Sequence, residues 1–218
     1  MIQLLDFAGV FVFAATGAIT ASRKQLDIIG FFFLASLTGI GGGTLRDLVL
    51  GAAPVFWIQN TNYILVCISS AAIVFFTAHL FESRYRVLLW LDAIGMAAYC
   101  VMGAHKGLKM GCSPTGAIVM GVLTATFGGI LRDIVAQQPS VLLRRELYVT
   151  AALSGSTLYV AGETLELPFF VSSTLGVWVA FLIRWGAIQY GWSLPSYKAR
   201  LGKTEEELKR DGILPPSR

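Results

Sequence analysis

The chain has 218 residues, of which 55% are hydrophobic and only 14% are charged, and its mean hydropathy is +0.67. Soluble domains carry about 25% charged residues, so this composition leaves too little polar surface to cover a soluble globule. The net charge of +4 could suggest a nucleic-acid partner, but the location of the basic residues argues against one, because they concentrate near the C-terminus and form no face with interleaved aromatic residues. The composition predicts an all-α integral membrane protein.

Seven apolar segments approach the length of about 20 residues that a helix needs to cross a bilayer. In chain order they cover residues 4–22, 28–50, 62–81, 87–104, 114–136, 147–162 and 168–188. The sixth is the weakest, because small polar residues interrupt it at positions 154–157. Short polar or turn-like connections separate the segments. The pattern therefore predicts seven transmembrane helices, followed by a soluble tail that contains one short charged helix.

The first half of the chain is repeated in the second half, at a distance of 86 residues. This shift aligns Gly17 with Gly103, and it superposes two copies of Gly-Gly-x-Leu-Arg-Asp that begin at Gly42 and Gly128. Each copy contains three spans, an odd number, so the second copy enters the membrane in the opposite sense to the first. The predicted units are a first repeat over 1–86, an inverted second repeat over 87–167, a seventh helix over 168–192 and a cytoplasmic tail over 193–218.

The distribution of basic residues predicts the orientation in the membrane. One side carries three basic loops and the basic tail, and those loops contain Arg23, Lys24, Arg84, Arg86, Arg144 and Arg145. The loops on the other side carry only Lys106 and Lys109. Since basic loops stay in the cytoplasm, the N-terminus is expected outside and the C-terminus inside.

Two glycine strings lie in the second and fifth spans, at Gly41-Gly42-Gly43 and at Gly128-Gly129. Each glycine weakens a helix by about 1 kcal/mol and leaves its backbone free to bend. The strings therefore predict that helices two and five are broken or kinked near the middle of the membrane. Glycines at this spacing are also typical of close helix packing, and this alternative stays open.

Polar and charged residues extend each glycine string along one helical stripe. Thr38, Gly42 and Arg46 follow one another at intervals of four residues, and the repeat-related row does the same. The candidate pore and kink residues are Thr38, Gly41, Gly42, Gly43, Thr44, Thr124, Gly128 and Gly129, and the associated charges are Arg46, Asp47, Arg132 and Asp133.

Each of the four charges costs about 2.5–3.5 kcal/mol to insert at the centre of a membrane helix, so each needs a partner or water. Adjacent residues on a helix point in different directions. We therefore expect Arg46 to pair with Asp133, and Asp47 with Arg132, across a cavity between the repeats. A polar path across the membrane is the favoured interpretation; a lock between two helices is the alternative.

Other polar residues carry weaker signals. Asp6 and Asp92 are repeat-related and are expected to cap the starts of spans one and four, Lys106 is expected in a solvated loop, and His105 is expected at the end of a span. The sequence contains neither a nucleophile motif nor a metal-ligand or phosphate-binding motif. We therefore expect neither an enzyme nor a cofactor.

The duplicated Gly-Gly-x-x-Arg-Asp, one copy per three-span repeat, resembles the prokaryotic trimeric intracellular cation (TRIC) channel family, whose domain is also known as a glycine transporter domain. The resemblance covers residues 2–190. It implies a homotrimer in the prokaryotic inner membrane, with one hourglass pore per protomer that conducts potassium and other monovalent cations such as sodium. It also implies that spans one, two, four and five line the pore, with the narrow region at the glycine kinks.

Three features of the sequence keep other interpretations open. Animal relatives hold an inositol lipid with a lysine-containing motif, whereas residues 131–135 here contain no lysine, so membrane lipids are expected as partners without that regulation. Two arginines near a pore would by themselves favour anions. Inverted repeats with broken helices are also typical of secondary transporters, and a transporter of a small zwitterion such as glycine is the alternative function.

Overall fold

The computed structural model describes residues 2–139, 147–195, 202 and 204–213, and the regular secondary structure in these ranges is helical. Its helices are α1 (Ile2–Arg23), α2 (Ile28–Val49), α3 (Phe56–Gln59), α4 (Asn62–Thr77), α5 (Arg84–Lys109), α6 (Pro114–Val135), α7 (Val149–Thr164), α8 (Phe169–Tyr190) and α9 (Glu205–Arg210). A single 3₁₀ turn, Ala78–Leu80, extends α4.

The observed helices correspond to the predicted segments, with two differences. Helix α5 continues to Lys109, five residues beyond the predicted end of the fourth span, so the expected loop there begins later. The short helix α3 was not predicted; it lies in the connection between the second and third spans. Arg144 and Arg145, which contributed to the predicted orientation, lie outside the described residues.

Five of the described helical segments are long and apolar enough to cross a membrane, namely Ile28–Val49, Asn62–Leu80, Arg84–Lys109, Pro114–Val135 and Phe169–Tyr190. Helices α1 and α7 are not among these five, and α7 has only 16 residues. The membrane character of the protein is therefore clear, whereas the count of seven spans stays a prediction.

The helices pack as two similar groups. Helices α1, α2 and α4 contact one another, and so do α5, α6 and α7. The two groups meet where α1 packs against α5 and where α2 packs against α6. The main contacts of α8 are with α5 and α7. Helix α8 therefore covers one group and has no counterpart on the other.

The starts of the two central helices repeat at the same 86-residue distance as the sequence. The carboxylate of Asp27 accepts a hydrogen bond from the Gly30 amide at 2.8 Å and caps α2, while the hydroxyl of Ser113 accepts from the Gly116 amide at 3.2 Å and caps α6. Both residue types are strong helix caps because they satisfy an amide that the helix leaves unpaired. The duplicated sequence thus starts α2 and α6 in the same way.

Contacts between the two groups of helices also recur at the spacing of 86 residues along the chain. A Cβ on Gly9 would lie 3.1 Å from the ring of Tyr99, and a Cβ on Gly95 would lie 3.1 Å from the ring of Phe13. The two rings lie 5.3 Å apart at the crossing of α1 and α5. A glycine of α1 therefore packs against an aromatic ring of α5, and a glycine of α5 packs against an aromatic ring of α1, as a twofold relation between the repeats requires.

Candidate functional site

The two glycine strings meet where α2 crosses α6. A Cβ on Gly42 would lie 2.2 Å from the carbonyl oxygen of Thr124, and a Cβ on Gly128 would lie 2.4 Å from the carbonyl oxygen of Thr38. Side-chain carbon atoms do not approach a backbone oxygen so closely, so only glycine fits at both positions. The pairing of position 42 with 124 and of 128 with 38 also shows that the helices run antiparallel at the crossing.

The remaining glycines of the strings face side chains. A Cβ on Gly41 would meet the end of the Leu131 side chain at 3.0 Å, and a Cβ on Gly43 would meet the ring of Phe56 at 2.6 Å. A Cβ on Gly129 would lie within 3.5 Å of Tyr148, Asp92 and Arg132. The glycines therefore act here as contact points, and the close-packing alternative accounts for Gly42 and Gly128.

The helical hydrogen bonding continues through both strings. Residues 28–49 and 114–135 are α-helical without interruption, so neither helix is broken, and a kink at the glycines stays a prediction. Thr38 and Thr124 are buried, and their hydroxyls donate to the carbonyls of Leu34 and Met120 at 2.6 Å each. These threonines therefore satisfy their own donors within their helices.

Thr44 joins helix α3 to α2. Its hydroxyl donates to the Ile40 carbonyl at 2.7 Å and accepts a hydrogen bond from the Trp57 indole at 3.0 Å. The connection between the second and third spans is thus held against the last turn of α2.

The first charge cluster lies at the end of α2, beyond the glycine crossing. Arg46 is 5% exposed, and its Nε and Nη2 contact Asp47 Oδ1 at 2.8 Å each. Asp47 is fully buried and also accepts from Lys106 Nζ at 2.7 Å and from the Phe56 amide at 2.9 Å. The buried carboxylate therefore has two cationic partners, one of them on α5 in the other repeat.

The second charge cluster lies at the end of α6. Arg132 is fully buried, and its Nε contacts Asp133 Oδ1 at 3.0 Å. Its Nη1 donates to Asp92 Oδ1 on α5 at 3.0 Å and to the Thr16 hydroxyl on α1 at 2.9 Å. Here the guanidinium is the shared group, and it joins three helices.

The predicted pairs of Arg46 with Asp133 and of Asp47 with Arg132 are wrong. Each arginine instead contacts the aspartate that follows it in sequence. The reason is the antiparallel crossing at the glycines: Arg46 lies four residues beyond Gly42 and Arg132 four residues beyond Gly128, in opposite directions. With position 42 opposite 124 and position 38 opposite 128, Arg132 lies opposite position 34, so at 1.5 Å per residue the two arginines are about 18 Å apart along the helix axes.

Two residues outside the predicted site belong to these clusters, and a third is a buried charge on α8. Lys106 lies within α5 and pairs with Asp47, so its assignment to a solvated loop was wrong. Asp92 is buried inside α5, eight residues after its start, and binds Arg132 rather than capping a helix. Arg184, which the sequence grouped with the basic tail, is fully buried in α8 with its guanidinium 5.2 Å from the Tyr148 ring. A charged residue within an apolar segment was the signal available for Asp92 and Arg184.

His105 makes a further contact between helices of the second repeat. Its Nδ1 lies 2.6 Å from the Tyr159 hydroxyl on α7, and its ring lies 4.9 Å from that of Phe169 on α8. The repeat-related positions in the first half are Ile19 and Ile73. This polar contact therefore belongs to the second repeat alone.

The arrangement places paired charges on both sides of a tight helix crossing. Each arginine is neutralised by a carboxylate within 3.0 Å, so neither cluster presents an isolated guanidinium. Among the described residues no group of three or more His, Cys, Asp or Glu side chains could hold a metal ion.

Comparison with known proteins identifies the family. The family model described as Glycine transporter matches the chain twice, at residues 3–79 and 89–164. The chain belongs to this family. It is 39% identical over 201 residues to a UPF0126 membrane protein of Vibrio cholerae, covering 90% of this chain and 83% of that protein. It is 33% identical over 202 residues to a UPF0126 inner membrane protein of Escherichia coli K12, covering 90% and 96% respectively.

Solved structures confirm the resemblance to the TRIC channels. The chain superposes on the TRIC trimeric intracellular cation channel orthologue from Rhodobacter sphaeroides with a TM-score of 0.86 and 49% identity, covering 87% of this chain and 98% of that one. A prokaryotic TRIC channel solved in 0.5 M KCl gives a TM-score of 0.82 at 26% identity, covering 88% and 98%. The fold is therefore that of the TRIC channels.

Proposed function

We propose that the chain is a passive channel for monovalent cations, potassium in the first place, in the inner membrane of a bacterium. One observation carries the proposal: 49% identity and a TM-score of 0.86 to a structure described as a trimeric intracellular cation channel. The superposition covers 87% of this chain and 98% of the solved one. The proposal includes a homotrimer with one pore per protomer, seven spans, an outside N-terminus and a cytoplasmic C-terminus.

The proposed pore runs between α1, α2, α5 and α6. Its narrow region is beside the crossing of Gly42 and Gly128, where the backbones of α2 and α6 are in contact. The two charge clusters lie on either side of this crossing. A path in this place is lined by both repeats equally, which agrees with the two matches of the family model.

The pairing of the charges supports cation passage. Arg46 and Arg132 would attract anions if they faced the path alone. Each guanidinium instead contacts a carboxylate, and Arg132 contacts two, on Asp92 and Asp133. With Lys106 on Asp47, the first cluster has one more positive than negative charge, and the second has one more negative than positive charge. The two clusters together are balanced, so they give the path no net attraction for anions.

The alternative function is transport of a small zwitterion, and the description of the family model as Glycine transporter is what favours it. A transporter needs a site for both a carboxylate and an ammonium group. The arginines and aspartates that could supply it are occupied by one another. The channel therefore remains the better supported proposal.

The test compares the two functions on the same preparation. The purified protein is reconstituted into liposomes, and uptake of ⁸⁶Rb⁺ and of labelled glycine is measured beside empty liposomes and beside Tyr190→Phe, an exposed control. We expect ⁸⁶Rb⁺ uptake that added glycine does not change. In planar bilayers we expect the same protein to give discrete single-channel currents. Saturable glycine uptake without cation current would replace the channel with the transporter.

A further inference from the structure

A groove lies between α8 and the crossing of α1 with α5, and its volume is about 470 Å³. The crossing lines the groove with small residues, and α8 lines it with larger side chains. The small residues include Ala8, Gly9, Gly95 and Ala98, and the larger ones include Phe169, Phe170 and Trp178. The small side chains at the crossing give the groove its depth.

The groove exists because α8 has no counterpart in the first repeat. The α1 positions that line it (8, 9 and 12) are the repeat counterparts of three α5 positions that also line it (94, 95 and 98). The crossing therefore contributes related positions from both repeats. Helix α8 borders this crossing on one side, since its main contacts are with α5 and α7. It thus converts a symmetric surface into a groove.

The groove opens sideways and is lined mainly by apolar side chains. Ile94, Phe170 and Trp178 line it and are 46%, 67% and 56% exposed, so its mouth faces away from the bundle. Its hydroxyl groups belong to Ser173 and Thr174, and the Ser173 hydroxyl already donates to the Phe170 carbonyl at 3.2 Å. Water in a cavity needs several polar partners, and these residues offer few. Because α5 and α8 are long and apolar enough to span a membrane, the mouth faces hydrocarbon.

The groove is too narrow for a helix of another chain. Along α5 it extends from Ile94 to Met102, which is about 12 Å at 1.5 Å per residue. Its mean cross-section is then about 40 Å², whereas a helix about 10–12 Å in diameter occupies roughly 80–110 Å². An acyl chain is much thinner than a helix, and it is flexible enough to follow an irregular groove. The dimensions therefore favour the hydrocarbon chain of a lipid.

A cation lies beyond one end of the groove. The ring of His105 lies 4.9 Å from that of Phe169, which lines the groove. Lys109 follows His105 by one helical turn and lies about 10 Å along α5 from Met102. It is exposed, and the ion pairs among the described residues do not include it, although they include Lys106. A lysine near the end of a membrane helix reaches the headgroup region, where it attracts phosphate.

We propose that this groove binds one phospholipid, with an acyl chain between α1 and α8 and the phosphate at Lys109. The lipid fills the space between these two helices and so supports the packing of α8 on the bundle. Glu163 and Glu166 carry negative charge at the same end, near the junction of α7 and α8, so the contribution of the phosphate is modest. The inference concerns the binding of lipid and does not rest on the proposed channel.

The experiment counts lipids by native mass spectrometry of the full-length protein. Delipidated protein is titrated with phosphatidylglycerol and with a diacylglycerol of the same acyl chains, which lacks the phosphate. Ala98→Trp fills the groove from α5, and we expect it to lower the number of tightly bound phosphatidylglycerol molecules by one per chain. We expect Lys109→Gln to weaken the binding of phosphatidylglycerol at this site about fivefold and to leave the binding of diacylglycerol unchanged.

Matched variants control for the added ring and for the lost charge. Ala72→Trp places the same ring on α4, beside the exposed Ile73 and Phe76 and outside the groove, and it should retain the lipid. Lys24→Gln removes an exposed lysine on the predicted cytoplasmic side and should leave both affinities unchanged. These controls separate a filled site from a general effect on the membrane surface of the protein.

Three results would overturn the proposal. The first is an unchanged lipid count in Ala98→Trp, or in Ala8→Trp, which fills the groove from α1 and replaces Ala98→Trp if that variant does not assemble. The second is an equal effect of Lys109→Gln on phosphatidylglycerol and diacylglycerol. The third is a loss of oligomers in the same spectra with the lipid count unchanged, which would assign the groove to a second copy of the chain. Because the count needs no conduction, a protein that fails the ⁸⁶Rb⁺ test can still pass or fail this one.

Discussion

The charge clusters of the two repeats share a sequence and differ in their partners. In the first cluster a buried carboxylate, Asp47, is held by two cations, Arg46 and Lys106. In the second a buried guanidinium, Arg132, is held by two carboxylates, Asp133 and Asp92. The duplicated Arg-Asp pair is thus the constant part, and the third charge has opposite sign in the two places.

The source of this difference is α5, which supplies the third charge to both clusters. Lys106 lies near its end and Asp92 near its start, so the helix reaches both sides of the glycine crossing. Its counterpart α1 carries Thr20 and Asp6 at the related positions, and Thr20 brings no charge. Divergence of a few positions in one helix therefore gave two copies of one motif different electrostatic surroundings.

The largest expected effect comes from substituting the glycines where α2 crosses α6, a contact to which both repeats contribute. Gly42→Ala and Gly128→Ala each place a carbon atom against a backbone oxygen, which cannot move without separating α2 from α6. We expect each to destabilise the protein by about 3 kcal/mol or to prevent its assembly, as seen by thermal unfolding and size-exclusion chromatography. The control is Gly41→Ala, where only the flexible end of Leu131 must shift. Equal stability of Gly42→Ala and Gly41→Ala would contradict the crossing.

The next largest effect distinguishes Asp6 on α1 from Asp92 on α5, which are the aspartates on the first helix of each repeat. Asp92→Asn leaves the fully buried Arg132 with one carboxylate, and breaking a buried ion pair typically costs about 3–5 kcal/mol. Asp6→Asn keeps an acceptor for Tyr63 and should cost about 1 kcal/mol. Thermal unfolding of the two variants measures the difference. Similar losses of stability in both variants would contradict the proposed difference between Asp6 and Asp92.

A smaller effect identifies which charges are coupled across the repeats. A double-mutant cycle of Lys106→Met with Asp47→Asn should show a coupling of about 1 kcal/mol, modest because the Lys106 side chain is 31% exposed. The matched cycle of Arg46→Met with Asp133→Asn should be additive, since these residues lie on opposite sides of the crossing. Coupling in the second cycle and additivity in the first would reverse the assignment.

The smallest effect concerns the polar contact that only the second repeat has. Tyr159→Phe removes the hydroxyl that contacts His105 and should cost about 1 kcal/mol. Tyr190→Phe removes an exposed hydroxyl and should stay within about 0.5 kcal/mol of the wild type. Unfolding in the same detergent compares the two, and an equal response would show that the contact contributes nothing to stability.

Much of the architecture followed from the sequence. The hydrophobic segments predicted the main helices, because a membrane helix must satisfy its backbone internally and present apolar side chains over a fixed length. The 86-residue repeat predicted that contacts would occur in related pairs, as Gly9 with Tyr99 and Gly95 with Phe13 do. The duplicated Gly-Gly-x-x-Arg-Asp led to the correct family.

The partners of the charges could not be obtained in this way. The sequence favoured Asp133 over Asp47 as the partner of Arg46, because adjacent residues on a helix point in different directions and sequence symmetry does not give the level at which two helices cross. Only the contact of Gly42 with the Thr124 carbonyl fixes that level, and the antiparallel direction then carries the two motifs apart.

The sequence by itself determined a membrane bundle with two related halves, since hydropathy and repetition are properties of the chain alone. The tertiary structure decided which charge meets which, and so brought Lys106 and Asp92 into the clusters. The physical reason is that a buried charge must find its partners among the groups within a few ångströms, whatever their distance along the chain. Those neighbours follow from the crossing level and direction of the packed helices, which the spacing of residues within a single helix does not contain.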